Sequence, residues 1–206
     1  MRISKLSASQ RKKGRVLVHL DSGDILRVGE SEVVSQGLCA GMELDGAALA
    51  ALEDAARRRQ VRERAMDLLS LRPMSRRELT GKLTAKGADL QAAEDAADWL
   101  EGLGLLDDES YARTLVRHYA GKGYGPYRIE QELYRRGVPR AFWEAAAEEA
   151  PGPERGILAF LGKKWRPEEL EDPKVRKKAS DALARRGYRW EDISAGLRAY
   201  CGAGLE

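Results

Sequence analysis

Hydrophobic residues recur every three or four positions through most of the chain after residue 46, a period that predicts helices. The clearest example is LLDDESYARTLVRHYAGKGYGPYRIEQELYRRGV, residues 105–138. Asp107 or Asp108 supplies the N-cap of a first helix, and Gly121 ends it. The apolar face predicted for this helix consists of Tyr111, Leu115, Val116 and Tyr119.

Pro126 opens a second helix in the same stretch, because proline is well tolerated in the first helical turn. Gly137 stands where a left-handed C-cap is needed, and a third, shorter helix follows from Pro139. The glycine-rich connection between the first two helices, residues 121–125, is predicted to be a flexible joint. The apolar face predicted for the second helix consists of Ile129, Leu133 and Tyr134.

The same pattern occurs three times with a spacing of fifty residues. The helix ending aligns at a leucine, a basic residue and a glycine, which are Leu83-Lys86-Gly87, Leu133-Arg136-Gly137 and Leu183-Arg186-Gly187. Ala93, Trp143 and Ile193 fall in register in the helix that follows. A fifty-residue helical period is typical of a tandem array, in which each repeat buries apolar surface against its neighbours.

Residues 1–45 have a different pattern. Val16, Val18 and Leu20 alternate with polar residues, a turn sequence follows at residues 21–24, and a second apolar run begins at Ile25. This alternation predicts a β-hairpin, to which Ile3 and Leu6 add a possible third strand. Because an isolated hairpin is marginally stable, the sheet should pack on a short helix around Val33 and Val34 or on the first repeat.

The predicted fold class is mostly α, with tandem three-helix, helix-turn-helix-like repeats in an elongated curved array behind a small N-terminal β-hairpin module. Residues 46–71 are rich in alanine and predict one long helix. The predicted domains are the β-containing module at 1–45, the long linking helix and first repeat at 46–106, the second repeat at 107–152 and the third repeat at 153–206.

The repeats resemble the RecX family of regulatory proteins. The resemblance rests on LLDDESYA and on the G-x-x-x-I-x-x-x-L-x-x-x-G pattern of GPYRIEQELYRRG. It covers roughly residues 65 to 200. Upstream, the family's A-x-x-L-L-x-x-R-x-x-S-x-x-E-L-x-x-x-L run is matched by Ala65, Leu68, Leu69, Arg72, Ser75, Glu78, Leu79 and Leu83.

Charged residues make up 33% of the chain, with a formal net charge of +3. The distribution of the charges along the chain is therefore more informative than the net charge. Residues 89–109 contain many acids and no lysine or arginine, whereas the flanking segments are basic. In a regular array these sign changes predict alternating charged stripes that suit a partner displaying both phosphate and basic protein.

The candidate contact residues for DNA or a protein partner come from the basic segments of the second and third repeats and from the tyrosines beside the glycine-rich connection. Most single charges on helices are solvated, but the basic helix ending recurs in every repeat. The candidates are Arg113, Arg117, Lys122, Tyr124, Tyr127, Arg128, Arg135, Arg136, Lys177, Lys178, Arg185 and Arg186.

No catalytic, cofactor-binding or metal-binding residue is predicted. The GKGYG segment at residues 121–125 lacks the spacing of a phosphate-binding P-loop. Asp107, Asp108 and Glu109 are consecutive at a helix start, so they are better explained as helix-capping acids than as a metal site. His19 and His118 stand alone. Sequence-specific reading of DNA by one recognition helix is disfavoured, because the charge is spread over the repeats and the chain contains no asparagine.

Two separated cysteines, Cys39 and Cys201, indicate a reducing compartment, and no signal peptide or membrane span is apparent. A cytoplasmic, monomeric protein that is not an enzyme is expected. The resemblance implies a role in DNA repair, recombination and the SOS response, through binding of the RecA–DNA filament and inhibition of RecA. DNA, single- or double-stranded, would be bound weakly or through the filament. The alternative is a sequence-nonspecific DNA-binding protein that acts without RecA.

Overall fold

A computed structural model of the protein describes residues 1–10 and 12–202. Arg11, within the predicted N-terminal module, and residues 203–206, at the end of the predicted third repeat, lie outside the described residues. The chain begins with three β-strands, β1 (Ile3–Ala8), β2 (Arg15–Leu20) and β3 (Ile25–Gly29). They form an antiparallel sheet in the order β1-β2-β3.

The sheet buries one face because its apolar residues alternate with polar ones. Val16 pairs with Val28 and Val18 pairs with Leu26 across β2 and β3. The predicted hairpin and the additional strand at Ile3 are therefore confirmed. A core forms on the buried face from Ile3, Val18, Leu20, Val28, Leu38, Leu44, Leu52 and Ala56.

Two helices follow the sheet, α1 (Glu30–Ser35) and α2 (Gly46–Leu71). Asp45 caps α2 by accepting a hydrogen bond from the Ala48 N–H at 2.7 Å. The sheet packs on Leu52 and Ala56 of α2, and Val33 of α1 is partly buried against the same core. The predicted short helix around Val33 and Val34 is α1, in which Val33 packs on the sheet core and the Val34 side chain is 79% exposed.

Half-buried ion pairs also join the sheet to α2. Glu63 of α2 forms ion pairs with Arg15 of β2 and, at 3.3 Å, with Arg59 one turn earlier on its own helix. Arg59 in turn pairs with Glu32 of α1 at 3.4 Å and donates to the Gly14 carbonyl at 3.2 Å. These contacts hold the β-module on α2 by charge as well as by apolar packing.

Eight further α-helices occur in the described chain. The second and third repeats also contain short 3-10 segments at Arg140–Phe142 and Pro167–Glu171. The helices are α3 (Arg76–Ala85), α4 (Leu90–Gly102), α5 (Asp108–Gly121), α6 (Pro126–Arg135), α7 (Trp143–Glu148), α8 (Pro153–Gly162), α9 (Pro173–Arg185) and α10 (Trp190–Gly202).

The second repeat has its own core, made by α5, α6 and α7. Its buried residues are Tyr111, Ala112, Leu115, Val116, Ile129, Leu133, Val138 and Ala146. The apolar face predicted for α6 is wrong at Tyr134, whose side chain is 65% exposed. The buried face of α6 consists of Ile129, Glu132 and Leu133, so Glu132 takes an inward position and Tyr134 points to the opposite side.

The third repeat has an equivalent core around Leu183, made by α8, α9, α10 and the 3-10 segment before α9. Its buried residues are Ile157, Phe160, Leu161, Leu170, Ala179, Leu183, Tyr188, Ile193 and Leu197. Asp172 caps α9 by accepting from the Lys174 N–H at 2.8 Å. The mostly helical class with a small N-terminal sheet and tandem three-helix repeats is thereby confirmed.

The described chain divides into two compact units. One comprises residues 1–72 and 79–103, and the other comprises residues 73–78 together with the chain from Gly104 onward. The division falls within α3, so it does not coincide with the predicted domain boundaries, which remain a prediction. The second and third repeats belong to the same compact unit, called here the C-terminal unit.

Candidate nucleic-acid and partner interface

The three predicted helix endings have the same local geometry. Gly87, Gly137 and Gly187 have φ angles of +89°, +70° and +85°. Glycine is suited to this left-handed region because it has no Cβ. The leucines that precede them, Leu83, Leu133 and Leu183, are fully or almost fully buried.

In the C-terminal unit, the ending of α9 docks on the beginning of α6. The Gly125 N–H donates to the Arg186 carbonyl at 2.8 Å, and the Tyr127 N–H donates to the Gly187 carbonyl at 3.1 Å. The backbones touch at this point, because a Cβ on Gly125 would overlap the carbonyl of Gly187. The end of α9, the second helix of the third repeat, therefore contacts the beginning of α6, the second helix of the second repeat.

The side chain of Arg186 strengthens the same joint. Its guanidinium donates to the carbonyls of Lys122 and Gly123 at 3.2 and 3.1 Å, at the end of α5. It also lies 4.4 Å from the ring centre of Phe160, a cation–π distance. The connection that the sequence predicts to be a flexible joint is thus held by hydrogen bonds from the third repeat.

An equivalent joint occurs where the ending of α6 meets the beginning of α3. The Ser75 hydroxyl donates to the Arg136 carbonyl at 2.5 Å, and the side chain of Arg77 packs against Gly137. The Arg136 guanidinium donates to the hydroxyl of Tyr111 at 3.1 Å. Arg136 and Arg186, both candidate contact residues, therefore act in holding the C-terminal unit together.

Four other candidate arginines, all in the second repeat, are paired with glutamates. Arg113 pairs with Glu109 at 2.6 Å and with Glu149 at 3.0 Å, and Arg117 pairs with Glu149 at 3.4 Å. The resulting surface beside α5 is mixed in charge. It therefore lacks the uncompensated positive charge that attracts phosphate over a distance.

Glu132 pairs with the other two of these candidate arginines, Arg128 at 3.5 Å and Arg135 at 2.6 Å. It also accepts from the hydroxyl of Tyr119 at 3.1 Å. Burial alone would raise the pKa of Glu132, but hydrogen bonds from Arg135 and Tyr119 and the charges of both arginines outweigh burial and lower it. Glu132 is therefore a buried anion that neutralises the basic side of α6.

The basic residues of α9 have a different environment. Lys177, Lys178 and Arg185 are exposed, and none of them forms an ion pair with any residue in 1–10 or 12–202. Lys174 is exposed in the same way and was not among the candidates. Lys174, Lys178 and Arg185 lie four and seven residues apart, so they form one row along the helix. Asp181 is the only acid in this row.

The two candidate tyrosines, Tyr124 and Tyr127, differ in how exposed their rings are. Tyr124 is half-buried, with the Arg186 guanidinium 5.7 Å from its ring centre, whereas Tyr127 is 60% exposed. The ammonium of Lys122 lies 5.9 Å from the ring centre of Tyr119. Of the two tyrosines that flank the glycine-rich connection, Tyr127 is the one whose ring is open to a partner.

The two aspartates at the start of α5 accept hydrogen bonds from the first turns of two different helices. Asp107 is the N-cap, since it accepts from the Ser110 N–H at 3.0 Å and from the Ser110 hydroxyl at 2.8 Å. These hydrogen bonds lower the pKa of Asp107. Asp108 instead accepts from the Arg76 N–H at 2.8 Å, at the start of α3.

The described residues contain neither a metal-ligating cluster nor a membrane-spanning helix. No cluster of three or more His, Cys, Asp and Glu side chains there is arranged to hold a metal ion. Among the helices of residues 1–10 and 12–202, none has the length and apolar character needed to span a membrane.

Sequence reasoning missed two exposed residues and one type of contact. Lys174 was detectable from its four-residue spacing to Lys178, and Tyr134 from its seven-residue spacing to Tyr127. The joint between repeats depends on backbone groups of residues far apart in the chain. The sequence feature that could have indicated this joint is the small residue at equivalent positions of the first and second repeats, Ser75 and Gly125.

Models of the RecX family match all three repeats. The first three-helix domain of RecX matches residues 62–100, the second matches residues 107–146, and the third matches residues 157–197. The third match confirms that the third repeat is a RecX three-helix domain.

Individual relatives and solved structures agree with the family models. Regulatory protein RecX of Stenotrophomonas maltophilia (strain K279a) is 36% identical over 137 residues, covering 66% of this chain and 84% of the relative. Regulatory protein RecX of Pseudomonas putida (strain GB-1) is 37% identical over 134 residues, covering 65% and 86%.

A crystal structure of regulatory protein RecX aligns with a TM-score of 0.73 and 25% identity, covering 95% of this chain and 98% of that chain. The crystal structure of RecX from Lactobacillus salivarius aligns with a TM-score of 0.64 over 71% of this chain and 97% of that chain. At 18% identity, it supports the fold alone. With its three repeats matched in order and its curated relatives covered over more than four-fifths of their length, the chain belongs to the RecX family of regulatory proteins.

Proposed function

We propose that this chain binds the RecA–DNA filament as a monomer and inhibits the ATPase, recombinase and co-protease activities of RecA by occupying the filament groove. Family membership carries this proposal, because three RecX domains in order are the strongest functional indication in the molecule. No chemistry is required of the chain. A protein bound in the groove obstructs further assembly or the entry of a second DNA strand.

The charge distribution supports a partner that contains both protein and nucleic acid. The ion-paired face of α5, where Arg113 and Arg117 share Glu149, suits a protein surface of mixed charge. The unpaired cations of α9 suit phosphate. The acidic helix α4, which carries Glu94, Asp95, Asp98 and Glu101, suits a basic surface on RecA.

The joints between repeats support binding through several weak contacts. Because hydrogen bonds hold the second repeat to the third, the contacts of both repeats are presented together. Once one contact forms, the others form at a high effective concentration and need not be individually strong.

Co-sedimentation with preassembled RecA filaments on single-stranded DNA tests this proposal. The wild-type chain should sediment with the filament at salt concentrations that release it from the same DNA without RecA. Reversing Arg113 and Arg117 to glutamate should weaken filament binding, whereas the matched reversal of Arg57 and Arg58 on α2 should not. Circular dichroism would verify that both variants retain their helices.

The alternative function is sequence-nonspecific DNA binding without RecA, and the unpaired cations of α9 are the observation that favours it. It predicts equal retention on naked DNA and on filaments, with a steep dependence on salt in both cases. Equal retention would therefore reject filament recognition and favour the alternative.

A further inference from the structure

The outward face of α6 carries two exposed tyrosines. Tyr127 and Tyr134 are 60% and 65% exposed, and both lie opposite the buried residues Ile129 and Leu133. They are seven residues apart, which is two helical turns or about 10 Å along the axis. Gln131 stands between them on the same face. Neither ring contributes to the core of the second repeat.

The beginning of α6 contacts the end of α9, the helix that carries the basic row. Arg185 is two residues from Gly187, and the carbonyl of Gly187 accepts from the Tyr127 N–H at 3.1 Å. The backbone at the end of the basic row therefore lies close to the backbone of the first exposed tyrosine. The C-terminal unit thus presents unpaired cations on α9 and exposed aromatic rings on α6, two helices whose backbones meet at this joint.

That combination fits single-stranded nucleic acid better than a duplex. Lysine and arginine neutralise phosphates in either form, but aromatic rings stack only on bases whose faces are open. A protein partner would also use tyrosine and arginine. The row of α9, however, has three cations without an ion pair in the described chain and one acid, Asp181, so its net positive charge favours a polyanion.

We propose that α9 and α6 form a binding track for single-stranded nucleic acid, in which Lys174, Lys178 and Arg185 contact phosphates and Tyr127 and Tyr134 stack on unpaired bases. The track deepens the proposed function by naming the form of nucleic acid that the chain contacts. The track rests on the proposed function, but its binding of nucleic acid can be measured without RecA and is therefore tested in the absence of RecA.

The first test compares affinities for a fluorescent oligo-dT and for a duplex of equal length, measured by anisotropy without RecA. The Y127A/Y134A variant should lose about tenfold or more in affinity for the single strand, because each stacked base contributes substantially to binding. Its affinity for the duplex should stay within about twofold of wild type. The matched Y127F/Y134F variant keeps both rings and should bind the single strand as the wild type does.

The second test measures the slope of log affinity against log salt for the single strand. Each phosphate contact contributes about 0.7 to this slope. The K178A/R185A variant should therefore lower it by about 1.4. The control R57A/R58A also removes two exposed arginines, but Asp54 already pairs with both, so its slope should be close to that of wild type.

Unchanged single-strand binding by Y127A/Y134A would overturn the track, as would equal losses on single strand and duplex. A wild-type chain that binds no oligonucleotide would overturn it too and would assign the tyrosines to a protein contact. The proposed function fails on a different result, the absence of any effect on RecA. A chain that regulates RecA without this track is therefore distinguishable from one that binds single strands without regulating RecA.

Discussion

The backbone N–H of Gly125 donates to the carbonyl of Arg186 at 2.8 Å, although the two residues belong to different repeats. The approach is so close that a Cβ on Gly125 would overlap the backbone at Gly187. This bond, the Tyr127–Gly187 bond and the two from the Arg186 side chain make the joint between the second and third repeats. How the C-terminal unit presents its charges depends on that joint.

Replacing Gly125 with alanine should destabilise the C-terminal unit. The added methyl group meets backbone atoms, which yield less easily than the end of a side chain, so we expect a loss of about 1 to 3 kcal/mol in the free energy of unfolding. Urea denaturation followed by circular dichroism measures this loss.

Gly121→Ala is the matched control for Gly125→Ala. Gly121 lies in the same glycine-rich segment, but a Cβ there meets no atom within 4 Å and its φ is not positive. The Gly121→Ala variant should be as stable as wild type or slightly more stable. Equal stability of the two variants would show that the contact between Gly125 and Gly187 is unimportant.

Replacing Ser75 with alanine should weaken the equivalent joint between α6 and α3. The buried hydroxyl donates to the Arg136 carbonyl at 2.5 Å and accepts from the Glu78 N–H at 3.1 Å. Losing both bonds should cost about 1 to 2 kcal/mol of unfolding free energy. Ser70→Ala is the control, because its hydroxyl makes one bond to Asp67 on its own helix. A Ser75 variant no less stable than the Ser70 variant would contradict this role.

Replacing Glu132 with glutamine should lower stability in a pH-dependent manner. The hydrogen bonds and charges around Glu132 depress its pKa in the folded protein below the unfolded value. Its anionic form therefore stabilises the fold fully above the ordinary glutamate pKa, and this contribution is lost as pH falls through the lower, folded pKa. At neutral pH we expect the variant to be about 1 to 3 kcal/mol less stable than wild type.

The difference between wild type and Glu132→Gln should then shrink toward acid pH, because wild-type Glu132 becomes protonated. Urea denaturation of both proteins at neutral pH and at about pH 3 measures the change. Glu148→Gln provides the comparison, since Glu148 is exposed and has no ion pair within the described residues. A constant difference for Glu132 across that range would mean that its charge does not stabilise the fold.

Much of the local structure was predictable because short-range chemistry determines it. Asp45, Asp107 and Asp172 cap helices through their own side chains, and Gly137 and Gly187 end helices through a left-handed backbone. The fifty-residue spacing indicated the repeats because equivalent leucines must be buried in each. These signals lie within a few residues of the feature they predict.

The errors arose where more distant residues decide the outcome. Hydrophobicity predicts that Tyr134 faces the core, but Glu132 occupies the buried face of α6 instead. Its charge is satisfied there by Tyr119, Arg128 and Arg135. The basic candidate residues rest on their charge and on the recurrence of basic segments, and neither signal separates paired Arg113 from unpaired Lys178. Pairing depends on residues such as Glu149, whose proximity only the fold determines.

The DNA-dependent ATPase rate of the cognate RecA, measured on single-stranded DNA while this chain is titrated in, tests the central claim most directly. Salt should be constant and ATP saturating. A chain that acts on the assembled filament should lower the rate at substoichiometric ratios to RecA, because each bound molecule then affects many subunits. A rate that falls only when the chain is abundant enough to coat the DNA, or that does not change at any ratio, would contradict the claim.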